Sequence, residues 1–342
     1  MIPAEFDYVA AGSVQEAISL LQQHGDGAKL LAGGHSLIPM MKLRLAQPAI
    51  LVDISKIDAL KGVSQSGNTV TVGALTTHAA LEDDATLAKA LPLVAQAATH
   101  VGDPMVRNRG TFGGSLAHAD PAGDWPAVAL AVGGTAKITG PNGDRSVDLD
   151  DFFIDILTSA VEPGEVLTAI DLNVPSGKYG TAYKKFSHPA SGYAVIGAAA
   201  VVTLNADGTC ASARIAVTGA GPKATRLTSM EEALVGKKLD DASVSAASAT
   251  AGEGMDFLGD IFASEEYRAH LVKVYAKRAV LAAAEAASGT RHNTNLCGAR
   301  ATVPLTLSLV RDKGIKLTMW STNLRRYNTT AGCSAYLQQF AA

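Results

Sequence analysis

The chain has 342 residues, of which 47% are hydrophobic and 18% charged, and its formal net charge is -3. This length suits two or three compact domains, and the composition can fill their cores. The charge gives no basic excess for a nucleic-acid-binding surface, and no apolar run is long enough to span a bilayer. The N-terminus lacks the features of a signal peptide, so we expect a cytoplasmic protein.

The opening segment alternates helix and strand signals. Ser13 is placed to cap a helix at about residues 14–23, whose apolar residues recur at helical spacing. Residues 28–32 and residues 50–54 are apolar runs that predict buried strands. A short helix is predicted from about Leu37, with Pro39 in its first turn.

From about residue 60 the pattern changes to antiparallel strand pairs and helices. Turn residues between short β-rich runs predict hairpins, and Pro175 marks a boundary between two parts of the chain. The predicted elements in chain order are a hairpin around 66–68, a helix at about 87–99, a hairpin around 141–144, a strand pair at 194–204 and 210–217, and a long alanine-rich helix at about 264–287.

The three cysteines, Cys210, Cys297 and Cys333, are far apart in the sequence. Iron–sulfur clusters use several thiolates, usually with two of them close together, and structural zinc uses paired Cys/His spacings. The sequence shows neither pattern, so we expect no metal site on this chain. Any metal redox centre with which it works is expected on another chain.

Two glycine-rich segments are the candidates for a ligand site. Ala32-Gly-Gly-His-Ser36 lies between a predicted strand and a predicted helix, where backbone N–H groups can face a phosphate. The stretch from Arg109 to Asp124 contains four glycines and predicts a long loop with free N–H donors, which suits a polyhydroxyl diphosphate such as FAD. A tight turn and a surface loop are the respective alternatives. Neither segment has the glycine spacing of a Rossmann fingerprint.

The motifs resemble those of the FAD-binding subunit of molybdenum hydroxylases, a group that includes xanthine dehydrogenase and aerobic carbon monoxide dehydrogenase. The resemblance is carried by Ala32-Gly-Gly-His-Ser36, Gly110-Thr-Phe-Gly-Gly-Ser115 and Asp120-Pro-Ala-Gly-Asp124, with shorter matches at 163–168, 183–186 and 193–195. Residues 1–8 and 32–42 are most similar to carbon monoxide dehydrogenase medium chains.

The resemblance implies an α+β fold with a two-subdomain FAD-binding part and a C-terminal domain of antiparallel sheet with helices. We expect the two FAD-binding subdomains at residues 1–58 and 59–176, and the C-terminal flavoprotein domain at 177–287. Residues 291–342 carry seven basic residues and one acidic residue. Residues 288–342 are therefore expected to be an atypical basic tail outside the functional fold.

The resemblance also implies which residues hold FAD, and it implies no catalytic or metal-binding residue. Backbone N–H groups at Ala32, Gly33, Gly34, His35, Ser36, Thr111, Gly114 and Ser115 are implied to bind the diphosphate. Asp124 corresponds to an acid that hydrogen-bonds cofactor hydroxyls. Residues implied near the flavin are Val166, Leu167, Lys185 and Tyr193, with Lys184 as the alternative to Lys185 and a plain core role as the alternative for Leu167.

The implied function is electron transfer between partner subunits. A large molybdopterin subunit would oxidise the substrate, a small subunit with [2Fe–2S] clusters would deliver electrons to FAD on this chain, and a quinone or other acceptor would receive them. The expected assembly is a dimer of heterotrimers, cytoplasmic or membrane-associated through its partners. Aerobic carbon monoxide oxidation is the expected reaction. The alternatives are an aromatic or N-heterocycle (xanthine-like) hydroxylase, a stand-alone flavin reductase, and a binding module without flavin.

Overall fold

The first part of the chain forms a three-stranded parallel sheet in the computed structural model, which describes residues 2–289. Its strands are β1 (Asp7–Ala10), β2 (Ala28–Leu31) and β3 (Ile50–Asp53), in the order β1-β3-β2. Helix α1 (Val14–His24) leads into β2, and α2 (Leu37–Lys42) follows it. The Ser13 hydroxyl caps α1 by accepting from the N–H of Glu16. The elements predicted for this segment are confirmed.

The second sheet is antiparallel and has five strands in the order β4-β5-β10-β6-β7. The strands are β4 (Val63–Ser66), β5 (Thr69–Gly73), β6 (Gly134–Gly140), β7 (Gly143–Asp148) and β10 (Val166–Asn173). Both predicted hairpins are confirmed, since β4 pairs with β5 and β6 pairs with β7. Between β7 and β10 the chain forms α9 (Leu149–Phe152) and the short pair β8 (Phe153–Asp155) and β9 (Thr158–Ser159).

Six short helices connect β5 to β6. They are α3 (His78–Asp83), α4 (Ala85–Ala90), α5 (Pro92–Ala98), α6 (Pro104–Arg109), α7 (Phe112–His118) and α8 (Asp124–Val132). The single helix predicted at 87–99 is wrong, because Pro92 starts a new helix after Leu91. The predicted glycine-rich loop contains α7 instead, because the Thr111 side chain caps a helix there.

The third sheet and its helices form the last described part of the chain. The strands β11 (Lys178–Ser187), β12 (Ala194–Leu204), β13 (Cys210–Thr218) and β14 (Thr225–Arg226) are antiparallel and neighbours in that order. They are followed by α10 (Thr228–Leu234), α11 (Asp241–Ser248) and α12 (Glu265–Ser288). The predicted strand pair and long helix are confirmed, and the fold is α+β as expected.

Strand β12 is buried on both faces, which explains its continuous apolar sequence. Ala199 and Val201 share a core with α8, whereas Ala198 and Ala200 share a core with α12. Helix α8 therefore lies against the third sheet, and all nine of its residues are buried. This packing places the first residue of α8, Asp124, beside β11 and β13.

The predicted basic tail lies outside the described residues from position 290 onward, as do Cys297 and Cys333. Cys210 is a free, buried thiol in β13. Among residues 2–289, no group of three or more His, Cys, Asp or Glu side chains is arranged to hold a metal ion. The helices of this same range are all too short or too polar to cross a bilayer.

Candidate cofactor site

Residues 32–36 connect the carboxyl end of β2 to α2. Gly34 has a φ of +74°, a left-handed conformation that residues with a side chain rarely adopt. A Cβ on Gly33 would overlap the carbonyl oxygen of Arg109 and lie 2.8 Å from the Cα of Gly110. The two glycine-rich segments therefore touch at Gly33, where a residue with a side chain does not fit.

The N–H groups of residues 33–37 form a run of unpaired donors. No hydrogen bond within residues 2–289 uses them, although the carbonyl of Gly34 accepts from Ile38 at 3.0 Å as α2 begins. His35 is exposed, and its Nδ1 lies 3.0 Å from the carbonyl oxygen of Gly33. Unpaired N–H groups at the start of a helix favour an anion such as a phosphate.

The segment at residues 110–115 differs, because the N–H groups of residues 112–115 are used within the chain. The four N–H groups from Phe112 to Ser115 donate, in order, to Thr76 O, Ala74 O, Thr111 Oγ1 and Thr111 O, at 2.9, 2.9, 3.2 and 3.0 Å. The prediction of many free donors is therefore wrong for these four residues. They belong to the capped first turn of α7 and to contacts with the segment after β5.

Thr111 and Gly114 nevertheless lie beside the first glycine segment. A Cβ built on Gly114 would be 2.6 Å from the Oγ1 of Thr111 and 3.7 Å from the Cβ of Ala32. The structure thus brings together the two segments that the sequence separates by more than seventy positions. The first segment supplies free N–H groups, and Thr111 and Gly114 of the second segment lie next to it.

Asp124 is buried, and both of its carboxylate oxygens are paired with side chains of β11. The Tyr183 hydroxyl donates to Oδ1, and the Lys185 Nζ donates to Oδ2 at 2.8 Å. Lys185 also donates to the carbonyl oxygen of His100 at 2.9 Å, and its side chain is only 1% exposed. Each carboxylate oxygen can accept two hydrogen bonds, so these two contacts leave one acceptor position unused on each oxygen.

The turn that precedes Asp124, residues 121–123, is held by the third sheet. The Thr218 hydroxyl lies 2.6 and 2.8 Å from the first and last carbonyl oxygens of this turn. The N–H of Ala194 donates to the middle carbonyl at 3.2 Å. Because Tyr193 precedes Ala194, the same contacts place Tyr193 close to the turn.

Burial and pairing act in opposite directions on the Asp124 group. Burial raises the pKa of Asp124, and the charge and hydrogen bond of Lys185 and the hydrogen bond of Tyr183 oppose this rise. Burial and the neighbouring Asp124 raise the pKa of Tyr183 well above its ordinary value, so its hydroxyl stays protonated and donates. Burial lowers the pKa of His100, and the charges of Lys185 and Lys184 lower it further.

His78 supports the second glycine segment from inside the protein. Its N–H donates to the carbonyl oxygen of Gly110 at 3.0 Å, and its ring Nδ1 accepts from the Trp125 Nε1 at 3.1 Å. Burial lowers the pKa of His78 to about 4, with smaller contributions from His35 and Arg107. The ring is therefore neutral at neutral pH, with its proton on Nε2, and it ties Gly110 to α8.

Comparisons with known proteins identify the family. The FAD-binding domain of molybdopterin dehydrogenases matches residues 4–175, and the C-terminal domain of carbon monoxide dehydrogenase flavoproteins matches residues 181–283. The chain belongs to the family of FAD-binding subunits of molybdenum hydroxylases. Its relatives include the carbon monoxide dehydrogenase medium chain of Hydrogenophaga pseudoflava, which is 41% identical and aligns over 83% of this chain and 98% of the relative.

Other relatives in the family belong to different enzymes. The 6-hydroxypseudooxynicotine dehydrogenase complex subunit alpha of Paenarthrobacter nicotinovorans is 37% identical over 86% of this chain and 99% of its own length. A solved carbon monoxide dehydrogenase from Hydrogenophaga pseudoflava has a TM-score of 0.80 at 41% identity and covers 83% of this chain and 98% of its own. FAD is thus the cofactor of the family, and the free N–H groups of residues 33–37 fit its diphosphate.

The two lysines that are alternatives in the family resemblance differ in their contacts. Successive residues of a strand point to opposite faces, and Lys185 rather than Lys184 contacts Asp124. Tyr193 follows β11 and is 43% exposed. Val166 and Leu167 are the first two residues of β10, and each is buried in a different hydrophobic core. Contact of these residues with the flavin stays a prediction.

The loop between β11 and β12 contains His188 and Gly192. His188 accepts at Nδ1 from the N–H groups of Ala190 and Ser191, each at 3.2 Å. Gly192 has a φ of +73°. Both residues shape the loop that presents Tyr193.

Sequence reasoning gave no role to Tyr183, although it is fully buried against Asp124. The signal was the spacing of two between Tyr183 and Lys185, which places both on one face of a strand. Arg107 is buried and pairs with Glu82 at 2.8 Å, so its charge is balanced within the chain.

Proposed function

We propose that this chain binds FAD and passes electrons from the [2Fe–2S] clusters of a small partner subunit to a quinone or another acceptor. We further propose that the complete enzyme oxidises carbon monoxide to carbon dioxide. The observation that carries this choice is the similarity to two carbon monoxide dehydrogenase medium chains, from Hydrogenophaga pseudoflava and Afipia carboxidovorans, at 41% and 39% identity over 83% and 82% of this chain.

In this proposal the chain holds the cofactor at its diphosphate, at a hydroxyl and around its flavin ring. The residues that hold its diphosphate through N–H groups are Ala32, Gly33, Gly34, His35, Ser36 and Thr111. Gly114 and Ser115, whose N–H groups are paired within the chain, adjoin them. Asp124 accepts hydrogen bonds from cofactor hydroxyls, and Val166, Leu167, Lys185 and Tyr193 flank the ring. A bound flavin can take two electrons and release them one at a time, which suits a relay between iron–sulfur clusters and an acceptor.

Substrate chemistry is assigned to partner subunits in this proposal. Oxidation of carbon monoxide with one water gives carbon dioxide, two protons and two electrons, and a large molybdopterin subunit carries out this reaction. The assembly is a dimer of heterotrimers in the cytoplasm, with membrane association through partners. Relatives are named as medium chains or as subunits of complexes, and these names support an assembly of several different chains.

The experiment is anaerobic purification of the native complex with flavin, iron and molybdenum analysis. We expect the isolated chain to contain FAD without stoichiometric iron, and we expect carbon monoxide to bleach the flavin absorbance of the complex. About two irons per isolated chain, the content of one small cluster, would contradict the assignment of the clusters to a partner.

A second candidate is a hydroxylase of N-heterocyclic substrates. It is favoured by the two Paenarthrobacter nicotinovorans relatives, 6-hydroxypseudooxynicotine dehydrogenase subunit alpha and nicotine 6-hydroxylase medium subunit, at 37% and 36% identity. The same purified complex separates the two candidates. Bleaching by a substituted pyridine, with no response to carbon monoxide, supports the second.

A further inference from the structure

We propose that Tyr183 is a positioning residue of the FAD site, whose hydroxyl, in a space left open by Gly197, holds the Asp124 carboxylate in the orientation that accepts a cofactor hydroxyl. This inference rests on the proposed function, because it takes Asp124 to be a ligand of FAD. It concerns only residues of this chain and the bonds between them.

The Tyr183 ring is held on several sides. Its side chain is 1% exposed, and its backbone N–H donates to the Oε1 of Gln96 at 3.1 Å. The His100 ring contacts the Tyr183 ring edge-on, with 5.7 Å between centroids. The hydroxyl therefore reaches Asp124 from a fixed direction. Because Lys185 donates to the other oxygen, two donors on different oxygens fix the plane of the carboxylate.

Gly197 provides the space for the Tyr183 hydroxyl. It lies in β12, opposite Lys185 of β11 and Thr218 of β13. A Cβ on Gly197 would overlap the hydroxyl of Tyr183 and lie 2.8 Å from the Cγ2 of Thr218. Any side chain at this position would therefore push the hydroxyl away from Asp124.

The Tyr183 hydroxyl also influences when Asp124 is ionised. The titratable groups around the Asp124 carboxyl are Tyr183 and Lys185 of β11, His100 before α6, and Asp120 and Tyr193 near the turn. Hydrogen bonds from Tyr183 and Lys185 favour the charged carboxylate against the effect of burial. Without the Tyr183 hydroxyl, the pKa of Asp124 rises further, and the acid becomes protonated at a higher pH.

The test begins with removal of the flavin from the full-length chain. The binding of added FAD is then measured from the quenching of its fluorescence, at pH values between about 5 and 9. We expect binding to weaken as the pH falls and Asp124 takes up a proton. Tyr183→Phe should raise the Kd about tenfold at neutral pH and move this weakening to higher pH. Asp124→Asn should remove the pH-dependent weakening, which assigns it to this carboxyl.

Tyr179→Phe is the matched control. Tyr179 lies on the same strand and the same face, and its hydroxyl donates to the carbonyl oxygen of Ala90 at 2.7 Å. Its loss removes one hydrogen bond to a helix but none to Asp124. We expect this variant to have the Kd and the pH profile of the wild type.

An unshifted pH profile in Tyr183→Phe, with binding weakened equally at every pH, overturns the inference, because it indicates a merely structural role. If Tyr183→Phe does not fold, Gly197→Ala is measured in the same way, and an unshifted profile there has the same meaning. A wild-type chain that binds no FAD overturns the proposed function together with the inference. A wild type that binds FAD, with no shift in the variant, overturns the inference alone.

Discussion

The two glycine segments have similar sequences but different backbones. In Ala32-Gly-Gly-His-Ser36 the N–H groups from residue 33 to residue 37 have no acceptor within residues 2–289, whereas those of residues 112–115 all have one. Thr111 caps α7 with its side chain, while Ser36 makes no side-chain cap of α2. A glycine pair therefore indicates that two backbone segments pack closely. Whether N–H groups are left for a ligand depends on whether the neighbouring residue caps the helix with its side chain.

The largest effect is expected from Gly34→Val in the first segment. The left-handed φ of Gly34 and an Ile38 carbon 2.8 Å from its added Cβ would distort the run of free N–H groups. We expect this variant to lose FAD during gel filtration while its far-UV circular dichroism stays near that of the wild type. Gly67→Val is the control, since Gly67 also has a positive φ of +56° but no atom within 4 Å of an added Cβ.

If Gly34→Val and Gly67→Val lose FAD to the same degree, backbone strain alone explains the loss. The first segment would then be a tight turn and not a ligand site. If Gly67→Val retains FAD and Gly34→Val loses it, the loss of FAD is caused by the position of Gly34 and not by a valine at a glycine with positive φ.

The next effect concerns His78, which supports the second segment. Its pKa falls from 6.5 to about 4 on folding, so the unfolded chain binds the extra proton first as the pH drops. Stability from this group is present above about pH 6.5 and is lost towards pH 4, by up to about 3 kcal/mol. Urea unfolding at several pH values should show a smaller loss in His78→Gln than in the wild type. His24→Gln, at an exposed position, should behave as the wild type does.

Asp124→Asn should have an intermediate effect on binding. The change keeps the shape of the side chain but removes the charge that strengthens a hydrogen bond from a cofactor hydroxyl. We expect FAD affinity to fall by roughly 1–3 kcal/mol at neutral pH, as measured by flavin fluorescence. Since the pKa of Asp124 is raised in the folded chain, the gap between variant and wild type should narrow as the pH falls. A difference in FAD affinity between variant and wild type that stays constant as the pH falls contradicts a role for the charge.

The smallest effect is expected from Thr111→Val, which removes the cap of α7. Loss of a capping hydroxyl lowers the free energy of unfolding by about 1 kcal/mol. Thr77→Val removes the corresponding cap of α3, where the Thr77 hydroxyl accepts from Ala80. Both variants should show this loss in urea unfolding, but only Thr111→Val should weaken FAD binding. Equal FAD affinity in the two variants would remove Thr111 from the site.

The elements that could be predicted from the sequence are those with local signals. The cap at Ser13 and the turns of both hairpins lie within a few residues of the structure they specify. Helix α8 shows no periodicity, because all nine of its residues are buried and it has no polar face. The break at Pro92 was a local signal that the prediction of one helix at 87–99 did not use.

Only part of the candidate site could likewise be predicted from local sequence signals. The glycine motifs identify two segments, but their contact at Gly33 joins residues far apart in the chain. The pairing of Asp124 with Tyr183 spans 59 positions and depends on how α8 packs against the third sheet. Nothing within a few residues of Asp124 indicates this partner, so it required the fold.

Amide hydrogen exchange of the full-length chain, with and without FAD, tests the difference between the two segments most directly. We predict that FAD slows exchange at residues 33–37, whose N–H groups have no acceptor within residues 2–289. Residues 112–115 should already be protected and should change little, because their N–H groups are hydrogen-bonded. Protection by FAD at residues 112–115, with none at 33–37, would contradict the account.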